Sequence, residues 1–257
     1  MAGDRVGLDP RPPRVFVPDL AEQIGDSEEH HREILLRREE REHIRSRRLR
    51  DGDVVVVIDG KGMRVRAALI RQGTAVALAL VPSKKSLSSS SLYGEPRNRV
   101  VVALACAEPV RVEWAIEKGT ECGAAGFVLL ACARSQKSHV AALSSPARLA
   151  RLQRIAIEAT KQCDRTIVPY VGGPKSAGDF LRRARGDDLL VADPGGEALL
   201  GPRTRPAVLG IGPEGGFAPA ELSLFEEKGA LRTSLGDRIL RLETAVVVAL
   251  TRLVEPA

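Results

Sequence analysis

The sequence is poor in aromatic residues. Phe, Trp and Tyr make up 3% of its 257 residues, so a core has to come from Val, Leu, Ile and Ala. Long apolar runs are missing too. The longest, such as 100–107 and 245–250, fall far short of the ~20 residues that span a bilayer. The first residues, 1–13, are rich in proline and contain no apolar signal core. A soluble, cytoplasmic protein with no membrane partner is expected. The four cysteines, Cys106, Cys122, Cys132 and Cys163, form no CxxC pair. This argues against zinc or dithiol sites and for reduced thiols. His30-His31 has no cysteine or paired acid nearby, so no metal is expected.

What is present is ordinary for a globular chain: 44% hydrophobic and 28% charged residues. The formal net charge of +6 favours a polyanionic partner without requiring one. The segment from Pro82 to Pro96, PSKKSLSSSSLYGEP, reads as a flexible linker between two domains. The expected domains are residues 14–82 and 98–257.

The first domain reads as mostly β. Val54–Ile58 is a β-branched run between Gly-Asp turns, and Arg64–Ile70 and Thr74–Leu80 are further strands. Residues 28–50 are dense in both charge signs. They allow either one long exposed helix or a strand at Glu33–Leu36 with a short helix from Glu39. The second domain alternates strands at Val100–Cys106, Phe127–Ala131, Ile167–Val171, Leu189–Ala192 and Ala207–Ile211 with helical patterns. One helix carries Val112, Ala115, Ile116 and Gly119. Another carries Leu149, Leu152, Ile155, Ala156, Ala159 and Cys163. A third opens at Pro219, and a last one runs from about Glu243 to Leu253. This α/β alternation implies a parallel sheet covered on both faces, with ligands beyond the carboxyl ends of its strands.

Two segments stand out. Ile211-Gly212-Pro213-Glu214-Gly215-Gly216-Phe217 lies between a strand and a helix, and its glycines permit close backbone approach and positive φ. It is neither GxGxxG nor a P-loop. It could also be a plain strand–helix turn. Ser234-Leu235-Gly236-Asp237-Arg238-Ile239-Leu240-Arg241-Leu242-Glu243-Thr244-Ala245 could be no more than a loop with a capped helix.

Together these segments resemble the C-terminal signature of the SPOUT methyltransferases, and within them the ribosomal small-subunit RNA uridine N3-methyltransferase (RsmE-type) family. That family carries IGPEGG and then LG-x-RILR-x-ETA at this spacing. Upstream, Val112-Glu113-Trp114-Ala115-Ile116-Glu117-Lys118, Ala133-Arg134-Ser135 and Ile155-Ala156-Ile157-Glu158-Ala159 with Arg165 extend the match. So does His43-Ile44-Arg45-Ser46-Arg47-Arg48-Leu49-Arg50-Asp51-Gly52-Asp53, which favours the strand-then-helix alternative. Glu42, Ala218 and Leu242 depart from the pattern, standing where a histidine, a capping serine and a threonine are usual.

The resemblance implies a trefoil-knotted C-terminal domain and a small β-barrel, PUA-like, RNA-binding N-terminal domain. It implies S-adenosyl-L-methionine (SAM) as cofactor, 16S ribosomal RNA of the small subunit as substrate, and a homodimer. SAM would be held by Gly210, Ile211, Gly212, Pro213, Glu214, Gly215 and Gly216 together with Ser234, Leu235, Gly236, Ile239 and Leu240. RNA would be held by His43, Arg45, Arg48, Arg50, Arg134 and Arg165. Uridine N3 carries a proton and is a poor nucleophile until it is lost. Arg241, always cationic, is the candidate for stabilising the charge that develops, or else it pairs with Glu243 or Glu214. Glu214 faces the sulfonium or ribose, or braces its loop. No general base is assigned, and a cysteine nucleophile is disfavoured because neither signature contains one. The competing readings are a related SPOUT enzyme acting on another base or on ribose 2′-oxygen, and an RNA-binding relative without turnover.

Overall fold

The computed structural model describes residues 12–25, 33–72, 75–81, 94–182, 188–202 and 204–254. His30-His31, most of residues 1–13 and most of the expected linker lie outside them. Contacts divide the chain into two units, Met1–Ser91 and Leu92–Ala257.

The first unit contains β1 (Arg14–Phe16), α1 (Leu20–Ile24), β2 (Glu33–Leu35), α2 (Arg38–Ser46), β3 (Val54–Ile58), β4 (Arg64–Gln72) and β5 (Ala75–Leu80). The strands form one mixed sheet in the order β1-β3-β4-β5-β2. Among the described residues its ladder does not close between β1 and β2, so the expected barrel is seen as a five-stranded sheet. The β3–β4 turn follows from its sequence. Asp59 Oδ1 accepts from the Lys61 and Met63 N–H groups at 2.7 and 2.9 Å, and Gly60 takes φ 76°. Of the two alternatives for residues 28–50, the strand and short helix are found where the chain is described. Ile34 pairs with Leu78 in the sheet, and Ile44 of α2 is wholly buried beside it in the same core.

The second unit contains β6 (Val100–Ala105), α3 (Pro109–Glu121), β7 (Gly126–Leu130), α4 (Lys137–Leu143), α5 (Pro146–Gln162) and β8 (Tyr170–Lys175). It continues with α6 (Ala177–Leu181), β9 (Asp188–Ala198), β10 (Ala207–Ile211), α7 (Pro219–Glu227), β11 (Leu231–Ser234) and α8 (Leu242–Leu253). All six strands are parallel, in the order β11-β9-β10-β6-β7-β8. The central strands β6, β7 and β10 are almost wholly buried, as continuous apolar runs in a covered parallel sheet must be. α3 and α8 pack on each other. α5 is tied to α3 by Glu113, whose carboxylate takes Arg148 at 2.7 Å and Arg151 at 2.7 and 2.9 Å.

Two expectations shift. The strand expected at Ile167–Val171 begins at Tyr170, because the Thr166 and Ile167 N–H groups are taken by Glu95 Oε1 at 2.8 and 2.9 Å. Arg165, expected to face RNA, is 4% exposed. Its guanidinium donates to Glu95 at 2.7 and 3.0 Å and to the Thr120 and Ala124 carbonyls at 2.9 and 2.8 Å. Arg165 is therefore a structural clamp and leaves the RNA-binding set.

Candidate functional site

The sheet's order reverses at its centre. From β6 the chain builds outward through β7 to β8, then returns to place β10 on β6's other side. Such a switch point opens a crevice beyond the carboxyl ends of the strands. Here a cleft of about 480 Å³ lies between residues 211–217 after β10, residues 235–240 after β11, and Asp193-Pro194 of β9. That volume falls in the range of about 300–1,000 Å³ usual for small-ligand sites.

The glycine-rich loop is shaped from below. Phe217 is buried against Phe225, with ring centroids 5.2 Å apart. Gly212 lets the chain fold back on that ring: a Cβ there would come within 3.0 Å of the Phe217 nitrogen. Gly216 takes φ 72° and donates its N–H to the Pro213 carbonyl at 2.7 Å, closing a tight turn. The loop is tied to the one after β7. Arg134 donates to the Gly215 and Phe217 carbonyls at 2.6 and 3.3 Å. The buried Glu221 accepts from Ala133 N–H with one oxygen and from Ala218 N–H with the other, both at 2.9 Å. Glu221 thus satisfies the start of α7 in place of a capping serine.

The second loop is held at its ends. Gly236, at φ 121°, donates to Ser234 Oγ at 3.2 Å, while Leu235 and Leu240 pack on the core. Ile239 points outward and is 93% exposed.

The expected site residues do not all converge. Ile211, Gly212, Pro213, Glu214, Gly215, Gly216, Leu235, Gly236, Ile239 and Leu240 line the cleft. Gly210 does not: it lies buried in β10, and a Cβ there would meet the Phe225 ring at 3.0 Å, so its role is packing. Ser234 shapes the loop from outside the lining. Of the glycines in the first loop, only Gly216 needs a positive φ. Glu214 makes no hydrogen bond or salt bridge among the described residues, and its charge acts on Arg111. Arg241 is exposed and also unpaired among them. The Glu243 that could have neutralised it faces Arg111 instead, at 3.4 Å. Arg134, expected at the RNA, lines the cleft and carries the loop.

Sequence reasoning missed Asp193, Arg238 and Glu221. Asp193-Pro194-Gly195-Gly196 is a turn signature inside an apolar run, and it marks where β9 shifts register against β11. Asp193 accepts from Gly195 N–H at 2.7 Å and from Arg232 at 2.9 Å. Burial pushes its carboxyl up, but the Arg232 hydrogen bond, the Gly195 N–H and the Arg232 charge together hold it below the ordinary value. The cysteines are unreactive by environment. Burial pushes Cys106 up to about 11, and burial with the nearby Glu221 charge pushes Cys132 up to about 12.

In the first unit, Arg45, Arg47, Arg48 and Arg50 are exposed at the end of α2, beside the half-buried His43. Glu42 is engaged by Arg38 at 2.9 Å and Glu40 is buried. The guanidinium groups of Arg47, Arg48 and Arg50 make no salt bridge among the described residues, though the Arg50 backbone N–H donates to Asp53 Oδ2 at 2.6 Å.

Residues 94–254 match the RNA methyltransferase domain family. The ribosomal RNA small subunit methyltransferase E of Synechocystis is 35% identical over 80% of this chain and 67% of its own length. That of Mycobacterium tuberculosis is 30% identical over 79% of each. A methyltransferase of Legionella pneumophila, solved in complex with bound SAM, superposes with a TM-score of 0.76 at 25% identity, covering 94% of this chain and 96% of the other. The Neisseria gonorrhoeae ribosomal RNA small subunit methyltransferase E, bound to SAM, has the same fold, with a TM-score of 0.75 at 23% identity over 93% and 95%.

Proposed function

The chain belongs to the RNA methyltransferase family, and on that premise we propose that it transfers the methyl group of SAM to N3 of a uridine in 16S ribosomal RNA of the small subunit. Its C-terminal unit is the all-parallel SPOUT methyltransferase domain and its N-terminal unit a small mixed-sheet domain. The observation that carries the proposal is the cleft at the sheet's switch point, walled by the two signature loops. The names of the relatives support the substrate.

The cleft suits SAM. Ile211, Leu235 and Leu240 supply apolar surface for an adenine, and the two loops that line the cleft supply backbone polar groups for its edges. Glu214, an exposed carboxylate with no salt bridge among the described residues, suits a cationic ligand. When bound, SAM supplies a methyl group already activated by its sulfonium, so the protein's tasks are alignment and control of charge. Arg241 follows the cleft-lining Leu240 in the chain and makes no ion pair among the described residues, and its fixed positive charge would favour the ionised uracil over the neutral one. No thiol step is involved, since Cys106 and Cys132 stay protonated near neutral pH.

RNA is bound by His43, Arg45, Arg48 and Arg50 of the N-terminal unit and by Arg134 at the cleft. The active form is a homodimer through α3 and α8. Val110 and Trp114 are 67% and 50% exposed on one face of α3, beside α8 with its half-exposed Val247 and Val248. Transfer of label from methyl-tritiated SAM to small ribosomal subunits of a deletion strain tests the activity. The wild-type chain labels them, and Arg241→Ala labels them at least roughly 100-fold more slowly, as loss of one charge-stabilising group does. Absence of label with the wild-type chain would overturn the proposal.

A further inference from the structure

The loop between β11 and α8 sends its apolar residues in two directions. Leu235 and Leu240 pack inward and Leu242 is 4% exposed, but Ile239 stands out at 93%. Single exposed apolar residues are common on protein surfaces. This one is set apart by its place: it lines the cleft together with Arg238, whose side chain is exposed and makes no ion pair among the described residues. The adjacent Asp237 pairs with neither Arg238 nor Arg241. A stiff β-branched side chain therefore projects from an anchored loop, next to Arg238 and two positions before Arg241, neither of which makes an ion pair among the described residues.

The reaction makes a demand that such a lip can meet. Uridine N3 lies on the Watson–Crick edge, which pairing hides, so a base methylated there is taken unpaired or turned out of the stack. Unstacking is costly, and proteins that cause it insert apolar side chains between base steps and gain contact surface in return. Phosphate contacts from arginine fix the strand while this happens. We infer that the loop between β11 and α8 is an RNA subsite, in which Ile239 enters the stack beside the extruded uridine and Arg238 takes a flanking phosphate. The inference rests on the proposed reaction and reassigns Ile239 from the cofactor to the substrate.

The test compares Ile239→Ala, Ile239→Met and Arg238→Ala with the wild-type chain. SAM affinity is read by calorimetry, mass by light scattering, and methyl transfer on unmodified small ribosomal subunits. Removing a side chain this exposed leaves the core intact, and Ile239→Met keeps an apolar wedge as a control. Ile239→Ala lowers kcat/KM on subunits by roughly tenfold through loss of the wedge. Its Kd for SAM stays within about twofold of wild type, its mass is unchanged, and Ile239→Met restores most of the rate. Arg238→Ala raises KM and flattens the salt dependence by about one unit of slope. A parallel loss of SAM affinity in Ile239→Ala would return Ile239 to the cofactor site. A halved mass would assign it to the partner interface, and unchanged transfer would leave it an ordinary exposed side chain. Each of these three results overturns the inference. Failure of the wild-type chain to methylate subunits would instead overturn the proposed reaction beneath it.

Discussion

Gly212 and Gly215 stand in one loop but face different neighbours. A Cβ on Gly212 would press on the Phe217 backbone and ring at 3.0–3.2 Å, whereas one on Gly215 would meet only Arg134, at 3.6 Å. Gly212→Val should therefore distort the loop, cost about 1–3 kcal/mol of stability and abolish SAM binding. Gly215→Ala should change Kd by less than about threefold, because ordinary contacts are tolerated. Calorimetry with SAM and a denaturant melt of each variant check both outcomes; normal SAM binding by Gly212→Val would mean the loop does not shape the site. The glycine cluster was legible in the sequence because a strand–loop–helix context gives glycine few other reasons to cluster. The division of work among the glycines was not, since it depends on Phe217 and Phe225, whose rings meet only in the fold. Arg165 was misread for a related reason. Its partner Glu95 lies 70 positions away, and nothing local separates a buried, saturated arginine from one that faces RNA.

Elements were legible where burial is uniform. The runs that became β6, β7 and β10 are apolar throughout, and the helices over Val112–Gly119 and Leu149–Ala159 keep one apolar face. β11, α4 and α6 were missed because each is short, and β11 buries only Thr233. β8 started late because a side chain, Glu95, and not a strand, takes the preceding amides. The face of α3 that remains open carries Val110 and Trp114, with the Lys118 ammonium 5.6 Å from the Trp114 ring centroid. If a second copy covers that face, Trp114→Glu buries a charge in the interface and disfavours it by several kcal/mol. Light scattering at micromolar concentration should then give twice 27.6 kDa for the wild-type chain and 27.6 kDa for the variant. Equal masses for the two would place the dimer, if any, elsewhere.

At the scale of the whole molecule, the proposed tasks are cofactor binding and methyl transfer in the C-terminal unit and positioning of the RNA chiefly by the N-terminal unit. The excess charge of +6 hinted at a polyanion without locating it. The arginines at the end of α2 are the proposed contact, since Glu42 is engaged by Arg38 and Glu40 is buried. Replacing Arg48 and Arg50 by Ala should weaken RNA binding and lower the salt slope by about one unit per lost phosphate contact, with SAM affinity unchanged. Wild-type methylation at every salt concentration would remove the patch from recognition. The central claim is the reaction itself, and nucleoside mass spectrometry tests it most directly. Small subunits from a strain lacking this gene are incubated with the protein and SAM, and the 16S ribosomal RNA is digested to nucleosides. The expected product is 3-methyluridine, present after incubation and absent before it. A methyl group found on a ribose 2′-oxygen or another base, or no methyl group at all, would contradict it.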